Sequence, residues 1–515
     1  MLKYIGAATG VGVVCGAAYV ATDADLSEQV SRTAYFWTQA FPIYLHYRYT
    51  QWRVEGMSDE EQDAAYNQLH DRYAPEVLRI ALRLKGFYIK MAQLGSTRND
   101  FVPRQYLERF STLQDRVPAR DGAFARRMVE DAFGGKLEDH FSEFDPVALG
   151  AASIGQVHAA RLRKDGTEVV VKIQYPDMER LVFLDLANSR LFSRIAQPEY
   201  IPMLDEVERQ VKTEFDFTRE GRMLEAVGNN IRPHFDAEVV IPRPIAGLVS
   251  PRVFVMERIH GVKLIDGIKQ QFEAIARAQG VTLLDLIEQA RKNPPTEFQI
   301  RLLKWRFWAT SVLANSRFAL HNTLVAPFTG HRREYVRPLV FIDERRVLHT
   351  LFRVHGHQIF VNGLFNGDCH PGNIILMPDG RLGLIDYGQV KEIDPASRRQ
   401  LALLIKALAS GDRQRVIDQF ASMGFKSKRM DPWVVEKTAR IYFDRCDREA
   451  TEGLNLQLFI DKLTANDPTE VFPENHLFAA RTSLLLRGLG TLLNHPVSAA
   501  QAWTPYADQI LGSPA

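Results

Sequence analysis

Cysteine is scarce in this chain. Cys15, Cys369 and Cys446 are the three among 515 residues, too few and too scattered for a disulfide framework or a zinc site, and they fit a reducing compartment. Net charge is equally scarce, at +2 from 64 basic and 62 acidic residues, with no long basic run. That argues against nucleic acid as the main partner. Residues 4–21, YIGAATGVGVVCGAAYVA, carry no charge and are mostly small or apolar. The rest, within a chain 46% hydrophobic and 24% charged, reads as globular, with room for about three domains or one domain carrying insertions.

Residues 1–24 are expected to be a membrane anchor, since residues 4–21 are about the shortest run that crosses a hydrocarbon core of ~30 Å. Gly6 and Gly10, then Gly12 and Gly16, repeat at the small-xxx-small spacing that lets two membrane helices approach, so a homodimer through the anchor is part of the expectation. A cleavable targeting segment is the alternative, but Lys3 alone makes a poor Arg-rich transit peptide. A buried helix is a third reading, disfavoured by the glycines.

From residue 25 to about 130 the pattern is helical. Tyr35-Phe36-Trp37 and Phe41 to Leu45 form an aromatic stretch that suits either an interfacial belt or packing against the domain. Ser58 and Glu61 make a capping-box start. Lys90 and Gln93 lie about one turn apart on one helical face; by periodicity alone this is an ordinary polar edge.

Residues 131–262 have the organisation of a small nucleotide-covering lobe. Gly150-Ala151-Ala152-Ser153 joins two strand-like runs and leaves room for backbone N–H groups to approach phosphates. Asp165-Gly166 is a hairpin turn leading into the Val-rich strand that ends at Lys172. Such a lysine is either an edge gatekeeper or a phosphate ligand like the lysine of a V-A-I-K strand. One helix is expected over about Met203–Gly228, carrying Glu214, Asp216 and Glu220, with Asp216 and Glu220 on one face. Glu214 or Glu220 could hold Lys172, and spacing does not choose between them. Met256-Glu257 begins a hinge-like segment.

The chemistry concentrates in residues 364–390, LFNGDCHPGNIILMPDGRLGLIDYGQV. Asp368 and Asn373 have the spacing of the H-R-D-x-x-x-x-N catalytic loop of protein kinases, and Asp386-Tyr387-Gly388 follows two short apolar strands as D-F-G does. Pro378-Asp379-Gly380 supplies the turn between those strands. Asn373 and Asp386 offer hard oxygens for Mg²⁺, and Asp368 sits where it could take a proton from an attacking hydroxyl. The bland alternative is a buried hairpin whose Asp and Asn only cap turns.

These blocks together resemble the UbiB/aarF-domain family of atypical, protein-kinase-like proteins, over roughly residues 80–265 and 345–500. Lys90-Met91-Ala92-Gln93 is similar to the K-x-G-Q motif, Gly150 to Ser153 to the alanine-rich loop, Glu214-Phe215-Asp216 to the E-x-D motif, and Asn366 to Asn373 to the H-x-D-P-H-P-G-N loop. The resemblance implies a two-lobed kinase-like α+β fold with a helical N-terminal extension. It also implies ATP and Mg²⁺ as cofactors, Gly150, Ala151, Ala152, Ser153, Lys172, Met256 and Glu257 at the nucleotide, and Glu220 as partner of Lys172. Asn373 and Asp386 would hold the metal, Asp368 would be the catalytic aspartate, and Lys90, Gln93, Glu214 and Asp216 would form the regulatory extension. Family members are associated with mitochondria, plastids or bacterial membranes and with isoprenoid-quinone or other lipid metabolism. A mitochondrial membrane, with the plastid as alternative, and lipid- or quinone-pathway enzymes as partners are the matching expectations.

Four positions depart from the pattern: Ala92 for glycine, Gly150 for alanine, Asn366 for histidine and Cys369 for proline. No arginine precedes Asp368, and no A-P-E follows the short run from Tyr387 to Ile393. Extended peptide substrates are therefore disfavoured. Residues 263–345 read as a helical insertion, with amphipathic helices over Gln270–Lys292 and Thr296–Asn322. The second carries a basic-aromatic cluster, Lys304 to Trp308, suited to a membrane surface or to docking on the large lobe of residues 346–515. The expected function is an ATP-binding, Mg²⁺-dependent atypical kinase or ATPase in membrane lipid or quinone homeostasis. A nucleotide-sensing scaffold with little turnover and a protein kinase are the alternatives.

Overall fold

The computed structural model describes residues 24–96, 103–110, 119–152, 154–196, 201–282, 285–286, 296–329, 331, 342–454, 456–493 and 495–512. Residues 1–23, where the anchor and its glycines are expected, and Ser153 lie outside them. Among the described residues no helix is long and apolar enough to cross a membrane. The chain divides into two units, residues 1–217 with 248–255, and residues 218–247 with 256–515.

The first unit opens with four helices, α1 (Ala24–Val54), α2 (Asp59–Leu84), α3 (Gly86–Ser96) and α4 (Arg104–Phe110). α2 starts at the expected capping box: the Ser58 hydroxyl accepts the Glu61 N–H, and the Glu61 carboxylate accepts the Ser58 N–H. Positive φ at Lys85 and Gly86 turns the chain between α2 and α3. Phe36 and Trp37 pack with Ile80, Leu84, Tyr88 and Phe192, which gives this part of the aromatic stretch the packing role rather than the interfacial one. After α5 (Gly122–Phe133) and the short α6 (Leu137–His140) come β1 (Phe141–Ala151), β2 (Gly155–Leu162) and β3 (Glu168–Gln174), then α7 (Met178–Ala196) and α8 (Ile201–Glu214). The buried Asp185 of α7 pairs with Arg32 of α1, and Asn188 donates to Thr33.

The chain continues through α9 (Phe217–Phe235), β4 (Val239–Val240), β5 (Pro244–Val249) and β6 (Val253–Glu257). The single helix expected over Met203–Gly228 is thus two, broken at Phe215-Asp216. The cause is tertiary: Phe215 is drawn into an apolar cluster with Phe87, Leu181 and Val211, and the Phe217 N–H bonds to the Pro251 carbonyl at 3.1 Å instead of continuing the helical ladder. Asp216 therefore stands outside the helix that carries Glu220. A five-stranded sheet has the order β1-β2-β3-β6-β5, so β3 is internal and Lys172 cannot be an edge gatekeeper.

In the second unit β7 (Val262–Lys263) leads into α10 (Leu264–Gln279), α11 (Glu297–Leu324) and α12 (Ala326–Thr329). The helix expected to run to Lys292 stops at Gln279 because Gly280 adopts the left-handed conformation at φ +70, which releases the chain from the helix. α11 starts where expected, with Thr296 and Gln299 as a capping box. Next come α13 (Glu344–Gly356), a π-helical turn (His357–Asn362), β8 (Leu364–Asn366), a 3₁₀ turn (Pro371–Asn373), β9 (Ile374–Leu376), β10 (Leu382–Leu384) and β11 (Val390–Glu392). Then follow α14 (Pro395–Ser410), α15 (Arg413–Ser422), the two-residue β12 (Lys426–Ser427), α16 (Pro432–Phe443), α17 (Leu456–Asn466), β13 (Thr469–Val471), α18 (Glu474–Leu492) and α19 (Ala499–Gly512). The core of this unit closes on Trp503, fully buried against Phe352 and Phe360, with its indole N–H donating to the Phe352 carbonyl. Gly356 permits that approach, since a Cβ there would lie 2.7 Å from the Trp503 ring.

Candidate active site

The second unit holds most of the expected chemistry on two small sheets. In the first, β4, β10, β9 and β7 lie in that order, with β9 and β10 an antiparallel hairpin turned at Gly380, φ +86. In the second, β8 pairs with β11, Asn366 opposite Val390. Asp368 to Asn373 thus follows β8, and Asp386-Tyr387-Gly388 lies between β10 and β11. Apolar alternation produces this frame: Phe365, Ile374, Leu376, Leu382, Leu384 and Val390 are all buried, leaving the polar residues to the turns.

Asn366 joins the two turns. Its side-chain amide donates to the Asp386 carbonyl at 2.7 Å, and its side-chain oxygen accepts the Asp368 N–H at 2.9 Å. Its own N–H is held by buried Gln358 on the π-helical turn. The Asn373 amide donates to the Asp368 carbonyl at 3.4 Å, the Ile385 N–H bonds to the Asn373 carbonyl at 3.1 Å, and the Gly388 N–H bonds to Asp386 Oδ1 at 3.0 Å. The structure therefore brings Asp368, Asn373 and Asp386 into one hydrogen-bonded assembly, more than turn-capping residues on a hairpin require. Arg481, on α18, donates to Asp368 Oδ1 and to Gln389 Oε1, each at 3.0 Å. Burial and the Asp368 charge push the Cys369 thiol well above its ordinary range, so it stays protonated.

Glu220 also belongs here. It lies in the first turn of α9, is buried, and sits beside the Asp386-Tyr387-Gly388 turn: a Cβ on Gly388 would be 3.8 Å from its carboxylate and 3.4 Å from that of Asp386. Arg219 fixes the same turn, donating to the carbonyls of Gly388 and Val390. Met256 is buried, and the Glu257 N–H donates to the Arg243 carbonyl while the Glu257 carboxylate accepts the Arg243 N–H.

The first unit carries the remaining residues. Lys172 is half-buried on β3, opposite Val157 of β2, with its ammonium 5.1 Å from the Phe217 ring centroid. Gly150 and Ala151 close β1 opposite Val157 and Gln156, and the Ala152 N–H bonds to the Gly155 carbonyl at 2.7 Å. Gly155 is required, because a Cβ there would lie 2.4 Å from the Ile173 carbonyl oxygen. Lys90 and Gln93 are on α3, which is anchored by Phe87 and Met91 in the apolar cluster that also takes Phe215, between Glu214 and Asp216.

Among the described residues no group of three His, Cys, Asp or Glu could hold a metal. The carboxylate of Asp386 and the carboxamide of Asn373 suit Mg²⁺, which takes one or two protein oxygens and completes its shell from phosphates and water.

The family model of the ABC1 atypical kinase-like domain matches residues 112–287 and 339–420. The chain belongs to that family. It is 27% identical over 475 residues to the protein ACTIVITY OF BC1 COMPLEX KINASE 8, chloroplastic, of Arabidopsis thaliana, covering 84% of this chain and 53% of that one. It is 29% identical over 375 residues to a probable protein kinase UbiB of Photorhabdus laumondii, covering 70% and 56%. An uncharacterised Synechocystis protein is 25% identical over 474 residues, covering 90% of this chain and 68% of its own length. The chain thus spans little more than half the length of the plant and Photorhabdus relatives.

Sequence reasoning missed Asn366 as a bridge and Arg481 as a partner of Asp368. Asn366 stood out only as a departure from the family loop. Arg481 lies 113 residues from Asp368, and no local spacing points to it.

Proposed function

We propose that the protein binds ATP with Mg²⁺ and works as an atypical kinase or ATPase in membrane lipid or isoprenoid-quinone homeostasis. The observation that carries this reading is the Asn366 bridge, which locks the Asp368 loop to the Asp386 turn as one unit. Such rigidity is what phosphoryl transfer asks of a protein, since its catalysis is mostly positioning and charge stabilisation. In this reading Lys172 pairs with phosphates, Asn373 and Asp386 hold Mg²⁺, and Asp368 accepts the proton of the attacking hydroxyl or water. The metal, when bound, neutralises charge on the transferring phosphoryl group.

The acceptor is a small molecule or water rather than an extended peptide. Only β11 lies between Gly388 and α14, whose N-cap is Asp394, which leaves no peptide-docking platform. The names of plant relatives place those proteins in the chloroplast, so of the two expected compartments the plastid gains support. Turnover of Mg·ATP by the full chain, beside its Asp386→Asn form, tests the reading. Turnover lost in the variant supports it. Tight nucleotide binding without turnover in the wild type moves the assignment to a nucleotide-sensing scaffold.

A further inference from the structure

The turn between β1 and β2 is not held by strand pairing alone. β1 slips register against β2 twice on its way there, between Phe144 and Ala148 and again between Ala148 and Gly150, so the ladder is interrupted where the turn begins. At its far end the turn rests on one tyrosine. Tyr175, which follows β3, gives its N–H to the Ile154 carbonyl at 2.8 Å and its hydroxyl to Gln156 Oε1 at 2.9 Å. The Tyr175 ring belongs to the apolar cluster that takes Ile154 from the turn, Phe124 from α5, and Phe87 and Met91 from α3.

Gln156 extends this support across the sheet. Its Oε1 also accepts the Arg120 N–H at 2.7 Å, while its Nε2 donates to the Arg120 carbonyl at 3.2 Å and to His158 Nε2 at 2.8 Å. Two donors reach its oxygen and two acceptors its nitrogen, so only one orientation of the carboxamide satisfies the site. His158 is fixed in turn. The Asp145 carbonyl, 2.8 Å from His158 Nδ1, can only accept, so Nδ1 carries the proton and Nε2 is left to accept from Gln156. The ring is fully buried and stacked on Phe144, and burial lowers its basicity and keeps it neutral. Asp145 lies inside the first register slip, so this chain of side chains ties β1 back to β2 where the ladder lets go. Arg120 is held by both carboxylate oxygens of Asp177, each at 2.7 Å, with its guanidinium 4.6 Å from the Tyr175 ring centroid.

A buried polar network with every member satisfied fixes one geometry, which apolar packing alone does less sharply. Here that geometry lies directly beneath a turn whose backbone N–H groups must stand at set positions to meet phosphate oxygens. We propose that Tyr175 and Gln156 are positioning residues for nucleotide binding, holding the turn between β1 and β2 in the form that takes the phosphates of a nucleoside triphosphate. The proposal rests on the reading of Gly150, Ala151 and Ala152 as nucleotide contacts and adds to it the residues that set their backbone.

The test titrates the full chain with Mg·ATP at equilibrium and measures turnover beside it. Tyr175→Phe deletes one hydroxyl and keeps the ring in its cluster, so the fold is retained. The nucleotide Kd is expected to rise about threefold to tenfold with kcat within about twofold, because a phosphate contact serves ground state and transition state alike. Gln156→Met, which removes all four side-chain bonds at similar length, should raise Kd further. In nucleotide-free protein, hydrogen exchange at Ala152 and Gln156 should quicken in both variants. Thr33→Val, which removes the acceptor of the Asn188 side chain in the same unit, is the control and should leave Kd and this exchange as in the wild type. A wild-type Kd in Tyr175→Phe, unchanged exchange at the turn, or an equal shift in Thr33→Val overturns the proposal and makes the network purely structural. A wild-type chain that binds no nucleotide defeats the functional reading and this proposal with it, and that result is seen before any variant is made, so the two failures are told apart.

Discussion

Arg481 offers the sharpest test of how the Asp368 loop is held. Its guanidinium spans Asp368 Oδ1 and Gln389 Oε1, each at 3.0 Å, and the Arg481 and Asp368 side chains are both 28% exposed. A charge-assisted hydrogen bond of this kind contributes about 1.5–3 kcal/mol when buried. Partial exposure and salt screening reduce that to roughly 1–1.5 kcal/mol. Gln389 in turn accepts the Gly367 N–H on its carbonyl at 3.0 Å, so Arg481 holds both the residue before Asp368 and the segment after Gly388. In Arg481→Ala the Asp368 carboxylate loses a fixed orientation. Turnover of Mg·ATP should fall about tenfold, which corresponds to ~1.4 kcal/mol. The nucleotide KM should stay within about twofold, since Arg481 touches none of the residues assigned to phosphate or metal, and Tm should drop by at most about 3 °C. Arg481→Lys keeps the charge but loses the planar fork, so it should recover only part of the turnover. Steady-state kinetics and thermal unfolding on the three proteins decide the matter. A wild-type kcat in Arg481→Ala, or a raised KM with kcat unchanged, would refute the positioning role.

Three further outcomes are expected. Asn366→Ala removes the bridge between the two turns at a buried position, and should lower unfolding free energy by about 2–3 kcal/mol in urea titration; a loss under about 0.5 kcal/mol would show that the strands alone hold the turns. Gly155→Ala places a Cβ 2.4 Å from the Ile173 carbonyl, while Gly150→Ala meets nothing within 4 Å, so the first should cost at least about 3 kcal/mol and the second under about 0.5; equal effects would contradict the backbone geometry of this loop. Burial outweighs the Arg32 partner at Asp185 and raises its carboxyl to about 6 from 3.8. Because the folded value is the higher one, its contribution is whole below about pH 4 and lost as pH rises through about 6, amounting to up to about 3 kcal/mol. Stability measured from pH 4.5 to 8 should show this decline in the wild type and not in Asp185→Asn, and parallel pH profiles would sink the assignment.

What the sequence made legible was whatever local spacing encodes. The Asp368-to-Asn373 interval, the Gly380 turn, the Asp165-Gly166 hairpin, the capping box at Ser58 and the helix start at Thr296 are each set by residues within a few positions of one another, and each forms as expected. The long-range decisions were not legible. Nothing near Phe217 announces that Pro251 will take its N–H and break the helix, and periodicity through Gly280 gives no warning that this glycine will turn left-handed. The internal position of β3, which removes the gatekeeper role for Lys172, depends on β6, some 80 residues further along. The Arg481 contact is of the same kind. Propensity favours an arginine anywhere on an exposed helix, and only the packing of α18 brings this one to Asp368.

The four departures from the family pattern do not weigh equally on function. Ala92 is buried with Ala81 and Phe110, so its extra methyl fills apolar space instead of crowding a contact. Asn366 supplies a donor to Asp386 and an acceptor to Asp368, and a neutral amide does this at any pH at which the protein folds. Cys369 is buried with its thiol facing the Thr482 carbonyl, and the neighbouring Asp368 charge adds to burial in keeping it protonated, so it acts as a small apolar residue. These three are absorbed by packing and leave Asp368, Asn373 and Asp386 in place. Gly150 differs, because the space where its side chain would be is open. It alters what can approach the loop between β1 and β2 without altering the fold, and glycine there also leaves the backbone freer than alanine would. If any departure tunes nucleotide handling in this chain, the physical argument singles out Gly150. Comparing nucleotide affinity and turnover in Gly150→Ala, a change the fold should tolerate, isolates that effect from stability.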